Sequence, residues 1–190
     1  MPDVSSATPP QIRPLYWALS AAAFALMFAA IWLDRPWLLN FVHVMSGVMW
    51  TGLDLLMGFV IGPALRSVSM EARRTVSIAI TTRTILLLPT LAIITGTSGW
   101  YHAKQLGFLD VAWPAWGWVL AALILAAILT VQGLLILLPT NIRMYLELRK
   151  LAPDGALLGR LMRFYVRMIA AQGVTQIAMI VVMAKFVTGL

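Results

Sequence analysis

The chain has 190 residues, of which 61% are hydrophobic and only 11% charged, with a mean hydropathy of +0.88. That balance excludes a soluble domain and predicts an all-α integral membrane bundle. The absence of cysteine excludes disulfides, thiolate metal sites and cysteine nucleophiles. The net charge of +7 lies in short segments between apolar runs, where it sets topology rather than binding nucleic acid.

Residues 1–14, MPDVSSATPPQIRP, are rich in proline and small polar residues and are expected to be a disordered cytoplasmic tail. Residues 15–190 then form a single transmembrane domain. The first apolar run, about 15–33, lacks a small-residue cleavage pattern downstream and reads as a retained helix rather than a signal peptide. A short turn at Asp34–Arg35–Pro36 leads to a second span over about 37–62, with proline at its first turn.

That second span, WLLNFVHVMSGVMWTGLDLLMGFVIG, carries a histidine, an aspartate and four glycines. On a helix of period 3.6, His43, Gly47, Trp50, Asp54, Met57, Gly58 and Ile61 fall on one face. Ionisable groups in hydrocarbon cost several kcal/mol, so this face is expected to turn toward the bundle interior. Gly58 and Gly62 form a GxxxG spacing, which fits close helix packing within the bundle and dimerisation equally well.

A polar connection over 64–75 precedes a third span at about 76–98, interrupted by Arg83 and Pro89, with a kink expected near Leu86. Residues 99–113, GWYHAKQLGFLDVAW, read as an interfacial loop with an aromatic belt of Trp100, Tyr101, Trp113, Trp116 and Trp118. The fourth span, about 115–138, is expected to stop at Pro139. A charged connection over 140–163 then leads to the fifth span, about 164–186.

Eleven basic residues fall on the side shared by the amino-terminal tail and the second and fourth connections, against Arg35, Lys104 and Lys185 on the other. That bias places the amino terminus in the cytoplasm and the carboxyl terminus in the periplasm. The inner cluster Arg160, Arg163 and Arg167 suits anionic lipid headgroups as well as topology.

Two constellations could carry chemistry. Asp54 and Arg83 each lie about 10 Å from the inner ends of their helices, at matching depth. They read either as a proton or ion relay or, the preferred expectation, as a structural ion pair. His43 and His102 both lie toward the outer face, where imidazole nitrogens suit haem iron or copper, so both are candidate cofactor ligands and His43 a candidate metal ligand. The alternative has His43 hydrogen-bonded to a neighbouring helix and makes His102 a solvated loop residue. Met45 and Met49 lie about 160° and 120° around the helix from His43 and cannot converge on it, so they read as ordinary packing. No catalytic residue, nucleotide loop or nucleophile elbow is recognised.

The stretch His43 to Gly52, HVMSGVMWTG, followed by Pro63 and an arginine-bearing loop, resembles the copper resistance protein D (CopD) family and related uncharacterised bacterial membrane families. The later TRTILLLPTLAIITGTSGW is similar to the next helix of that group, and the likeness covers roughly residues 40–100. The resemblance implies an inner-membrane bundle that handles copper at the periplasmic face. A more distant similarity is to the HemJ-type protoporphyrinogen oxidases, which implies haem at His43. The chain lacks a methionine-rich outer loop, and the haem family's catalytic arrangement has no residue-by-residue match here. Three functions follow as expectations: a copper-resistance-D-like protein with a metal or haem site at His43, a haem-b redox protein or enzyme, or a non-catalytic subunit of a larger membrane complex. The partners expected are the lipid bilayer and other membrane proteins or a second copy of the chain, with no nucleic acid.

Overall fold

A computed structural model describes residues 11–189, so the first ten residues of the expected tail lie outside the described residues. Five helices make up the bundle: α1 (Pro14–Trp32), α2 (Pro36–Ala64), α3 (Met70–Gln105), α4 (Trp116–Leu148) and α5 (Gly155–Thr188). All five are long and apolar enough to cross a membrane, and no strand occurs among the described residues. Large apolar side chains such as Phe28, Phe59, Leu135 and Val181 point outward. With that surface and those helices, the chain is a multi-pass membrane protein whose outer face is solvated by lipid.

Helix α2 lies at the centre. It packs most extensively on α3, and also meets α1 and α5, while α4 packs against α5. Met27, Ala30, Leu39, Val42 and Ile94 join α1, α2 and α3 toward one end. Met57, Leu137, Met144, Tyr165 and Ile169 join α2, α4 and α5 toward the other. Between these clusters, Trp50, Leu88, Leu91 and Leu129 tie α2 to α3 and α4.

Several helices outrun their apolar segments, and capping chemistry explains where they begin. Ser69 accepts from the Ala72 N–H at 3.3 Å, so α3 starts inside the expected 64–75 connection. Asp154 accepts from the Ala156 and Leu157 N–H groups at 2.8 and 3.0 Å, starting α5 at Gly155 rather than near 164. The Leu157 N–H, with help from that of Ala156, holds the Asp154 carboxyl below its ordinary range. The expected interfacial loop over 99–113 is corrected likewise. Trp100, Tyr101 and His102 continue α3, and the chain first turns away at Gly107, where φ is +71°. Helix α3 also runs through Pro89.

Pro139 does not end the fourth span, and its accommodation has a parallel in α2. Both helices contain a π-helical segment, Leu56–Ile61 in α2 and Val131–Leu137 in α4, and each is followed two residues later by a proline, Pro63 and Pro139. A proline ring strikes the carbonyl four residues earlier and leaves it without an N–H donor. Those carbonyls belong to Phe59 and Leu135, inside the wider turns, where the π register offers another way to satisfy the backbone.

The loops on the basic end are short and tied down. Arg73 folds back to donate through Nε to the Leu65 carbonyl at 2.7 Å and through Nη2 to that of Arg66 at 3.1 Å, covering the carboxyl end of α2. Glu147 pairs with Lys150 and accepts from the Asp154 N–H at 2.9 Å, fixing the turn into α5. At the other end, Gln105 donates to Asp34 at 2.7 Å and ties the α1–α2 turn to α3.

The GxxxG pair faces α5 of the same chain. A Cβ on Gly58 would lie 3.0 Å from the Ala170 Cα, and one on Gly62 only 2.5 Å from Val166 Cγ1. Gly58 meets rigid backbone, so the helices cannot yield locally. Gly58→Leu is expected to destabilise the bundle by about 1–3 kcal/mol, the usual cost of overpacking, read as a shift in the denaturation midpoint in detergent.

Candidate functional site

The polar face expected on α2 exists. Trp50, Asp54, Met57 and Gly58 are buried, and His43, Gly47 and Ile61 are half-buried on the same face. Met45 and Met49 point outward.

Asp54 is 0% exposed, and its partners are neutral. Oδ2 accepts from Gln172 Nε2 at 2.6 Å and from Gln176 Nε2 at 3.0 Å. The two glutamines are one turn apart on α5, so both reach the same oxygen. The Trp50 indole is a third polar neighbour, one turn back on α2. The expected Asp54–Arg83 ion pair is corrected: Arg83 is exposed on α3 and donates to the Ala79 carbonyl of its own helix at 2.9 Å. Arg83 points to the outside of α3 while Asp54 points into the bundle. Among the described residues the single salt bridge is Lys150 with Glu147, at the end of α4.

A cavity of about 20 Å³ adjoins Asp54, room for one water-sized occupant. Trp50, Asp54, Gly133, Asn141, Tyr165 and Gln172 contribute to its wall from α2, α4 and α5, and α3 closes it with apolar side chains at Leu88, Pro89 and Ala92. Three buried oxygens from these residues, Asp54 Oδ1, Gln172 Oε1 and Asn141 Oδ1, have no hydrogen-bond partner in the protein. Asn141 and Gln172 are 3% and 1% exposed. Such buried acceptors are uncommon in folded proteins, and a cluster of them beside a cavity marks a place for a donor or a cation.

The sequence held signals for this site that the ion-pair reading passed over. Gln172 and Gln176 form an i, i+4 amide pair in an otherwise apolar helix, and Asn141 follows Pro139 in a stretch read as a loop. The π segments leave no comparable signature, although Gly133 sits within one and faces both Gln172 Oε1 and the Trp50 ring.

His43 and His102 occupy the opposite end of the bundle from Tyr165 and Asn141. His43 Nδ1 lies 2.9 Å from the Thr95 carbonyl, which can only accept, so Nδ1 carries the proton and Nε2 keeps its lone pair. The ring packs directly on α3, since a Cβ on Gly99 would fall 2.6 Å from His43 Cε1. His102 is three residues beyond Gly99 on the same face of α3, within one turn of that contact, and its Nδ1 is buried without a partner. His102 is thus a helix residue and not a loop one. Among the described residues no third His, Cys, Asp or Glu side chain joins the pair in a group that could hold a metal ion.

No protein family, curated protein or solved structure matches the chain.

Two substitutions check this geometry. Asp54→Asn and Arg83→Gln are expected to change stability additively, within about 0.5 kcal/mol in a double-mutant cycle, whereas a direct pair would couple more strongly. Gly99→Ala is expected to displace the His43 ring from Thr95, visible as a shifted and broadened imidazole signal in histidine-labelled NMR spectra.

Proposed function

We propose that the chain is a carrier or relay for protons or small cations in a bacterial inner membrane, with Asp54 as its working group. The one observation that carries this reading is a fully buried carboxylate answered by two neutral amides and flanked by unpartnered oxygens. A bundle that needed only to neutralise Asp54 would place arginine or lysine beside it, because an unbalanced charge in hydrocarbon is costly. Leaving the charge open to an exchangeable partner is what a relay or carrier requires. The π segments of α2 and α4 support the reading, since such segments gather at functional sites; the α2 segment begins two residues after the acid, and the α4 segment supplies Gly133 and Leu137 to the cavity wall. The basic residues at the end carrying the α2–α3 and α4–α5 loops favour a cytoplasmic amino terminus and a periplasmic carboxyl terminus.

The test is flux into liposomes carrying the purified protein and an internal pH dye, driven by an imposed membrane potential. Asp54→Asn keeps the size of the side chain and removes the exchangeable proton and the charge. It is expected to lower flux by about 100-fold, the scale of losing a proton-transfer group. Flux equal to the wild type from folded Asp54→Asn would rule Asp54 out as the working group.

A second reading belongs to the histidine end. His43 donates through Nδ1 to a backbone carbonyl and leaves Nε2 open, the pattern in which metal-bound imidazoles are usually held. With His102 Nδ1 a turn away, and with the resemblance to copper resistance protein D and HemJ-type proteins, this supports copper or haem b at the periplasmic face. Under that reading, protein purified in mild detergent carries copper or shows a Soret band that shifts with dithionite, and His43→Ala removes it. Folded protein with neither metal nor band would remove this reading and leave the first untouched.

A further inference from the structure

We infer that the cavity beside Asp54 binds one small monovalent cation, for which sodium serves as the probe, through Asp54 Oδ1, Gln172 Oε1 and Asn141 Oδ1. The inference deepens the reading of Asp54 as a working group and rests on it.

Hydrogen-bond accounting comes first. The amide N–H groups of Gln172 and Gln176 are both spent on Oδ2. A carboxylate can only accept, so it fixes each amide with its nitrogen toward Asp54 and its oxygen turned away. Gln172 lines the cavity together with Asp54 and Asn141, and Gln172 Oε1, Asp54 Oδ1 and Asn141 Oδ1 are all buried and without a protein partner. Leu88, Pro89, Ala92, Leu137 and Leu138 make the rest of the wall apolar, so the unpartnered oxygens are its polar feature; they repel an anion and would leave an apolar guest facing unpaired polar atoms. They suit a hard cation, which takes oxygen ligands.

Charge and size then narrow the class. The site holds one carboxylate, and among the described residues no basic side chain pairs with it. A single positive charge makes the site neutral, the cheapest state in a low-dielectric interior. A divalent ion would leave an excess charge, and calcium and magnesium sites normally draw on more carboxylates or on several retained waters. A volume of about 20 Å³ admits one water-sized occupant and excludes organic cations. Gly133 keeps this space open, because a side chain there would grow toward Gln172 Oε1 and the Trp50 ring, each 3.6 Å from its Cβ position.

The experiment measures retention of radioactive sodium by the full chain in detergent, together with thermal unfolding in sodium chloride and in choline chloride at equal ionic strength. The expected result is saturable retention of about one sodium per chain and a midpoint that rises with sodium but not with choline, as binding to the native state requires. Asn141→Ala, which removes one ligand and leaves the acid in place, is expected to weaken sodium binding by about tenfold, the scale of one polar contact to a charged group. Asp54→Asn is expected to abolish it. Absence of retention together with equal midpoints in the two salts overturns the inference, as does wild-type affinity in Asn141→Ala. If Asp54-dependent proton flux persists in sodium-free liposomes alongside such a result, the relay stands and the cation site falls. Retained sodium with no Asp54-dependent flux has the opposite meaning: the site stands and the transport reading falls.

Discussion

The α2–α5 contact depends on how a buried carboxylate is satisfied. Asp54 cannot turn to water, so two amides one helical turn apart must come to it, and both belong to α5. The helices can approach closely enough only because small residues line the seam. Gly58 lies against the Ala170 backbone and Gly173 against Leu55, within two turns of the acid. The small-residue stripe and the polar cluster are therefore one device: the glycines permit the approach, and the amides select its register. Shifting α5 by one residue would turn both glutamines off the seam.

The second constraint is the backbone of α2 and α4. Each crosses a proline with a π segment in place of a break; the one in α2 begins just past Asp54, and the one in α4 supplies Gly133 and Leu137 to the cavity wall. A straight α-helix through Pro139 would put its ring against the Leu135 carbonyl. The wider turn removes that conflict and also changes the register of everything beyond it, Asn141 included. The position of Asn141 at the cavity is thus a consequence of how Pro139 is accommodated.

The five spans were legible because a helix in lipid must be apolar over about 20 residues, and hydropathy reads that directly. The polar face of α2 was legible for the same reason that it exists, since charge clusters on the side away from lipid. Helix ends were not, because hydropathy reports the apolar segment and not the helix. Ser69 and Asp154 cap helices well outside the apolar runs, and His102 sits in the helical extension of α3. The partner of Asp54 was misassigned because depth along a helix is only half of a position. Arg83 was expected on depth alone and fails in azimuth, whereas Gln172 and Gln176 reach the acid from a helix not adjacent in sequence. Proline at 63 and 139 marked a disturbance, but whether a proline ends, kinks or widens a helix is settled by its tertiary neighbours.

The choice of amides over arginine at Asp54 bears on what the acid can do. A buried arginine would form a closed pair, strong only while both members stay in place and insensitive to small ions. Amides share the charge without cancelling it and occupy only one of the two carboxylate oxygens. The other oxygen, like the amide oxygen of Gln172, is left without a partner in residues that line the cavity. An acid held this way stays ordered through its neutral donors while its charge remains available to whatever enters, which is a requirement of reversible occupancy. The same residues that hold α2 to α5 therefore create the opening for a proton or a cation.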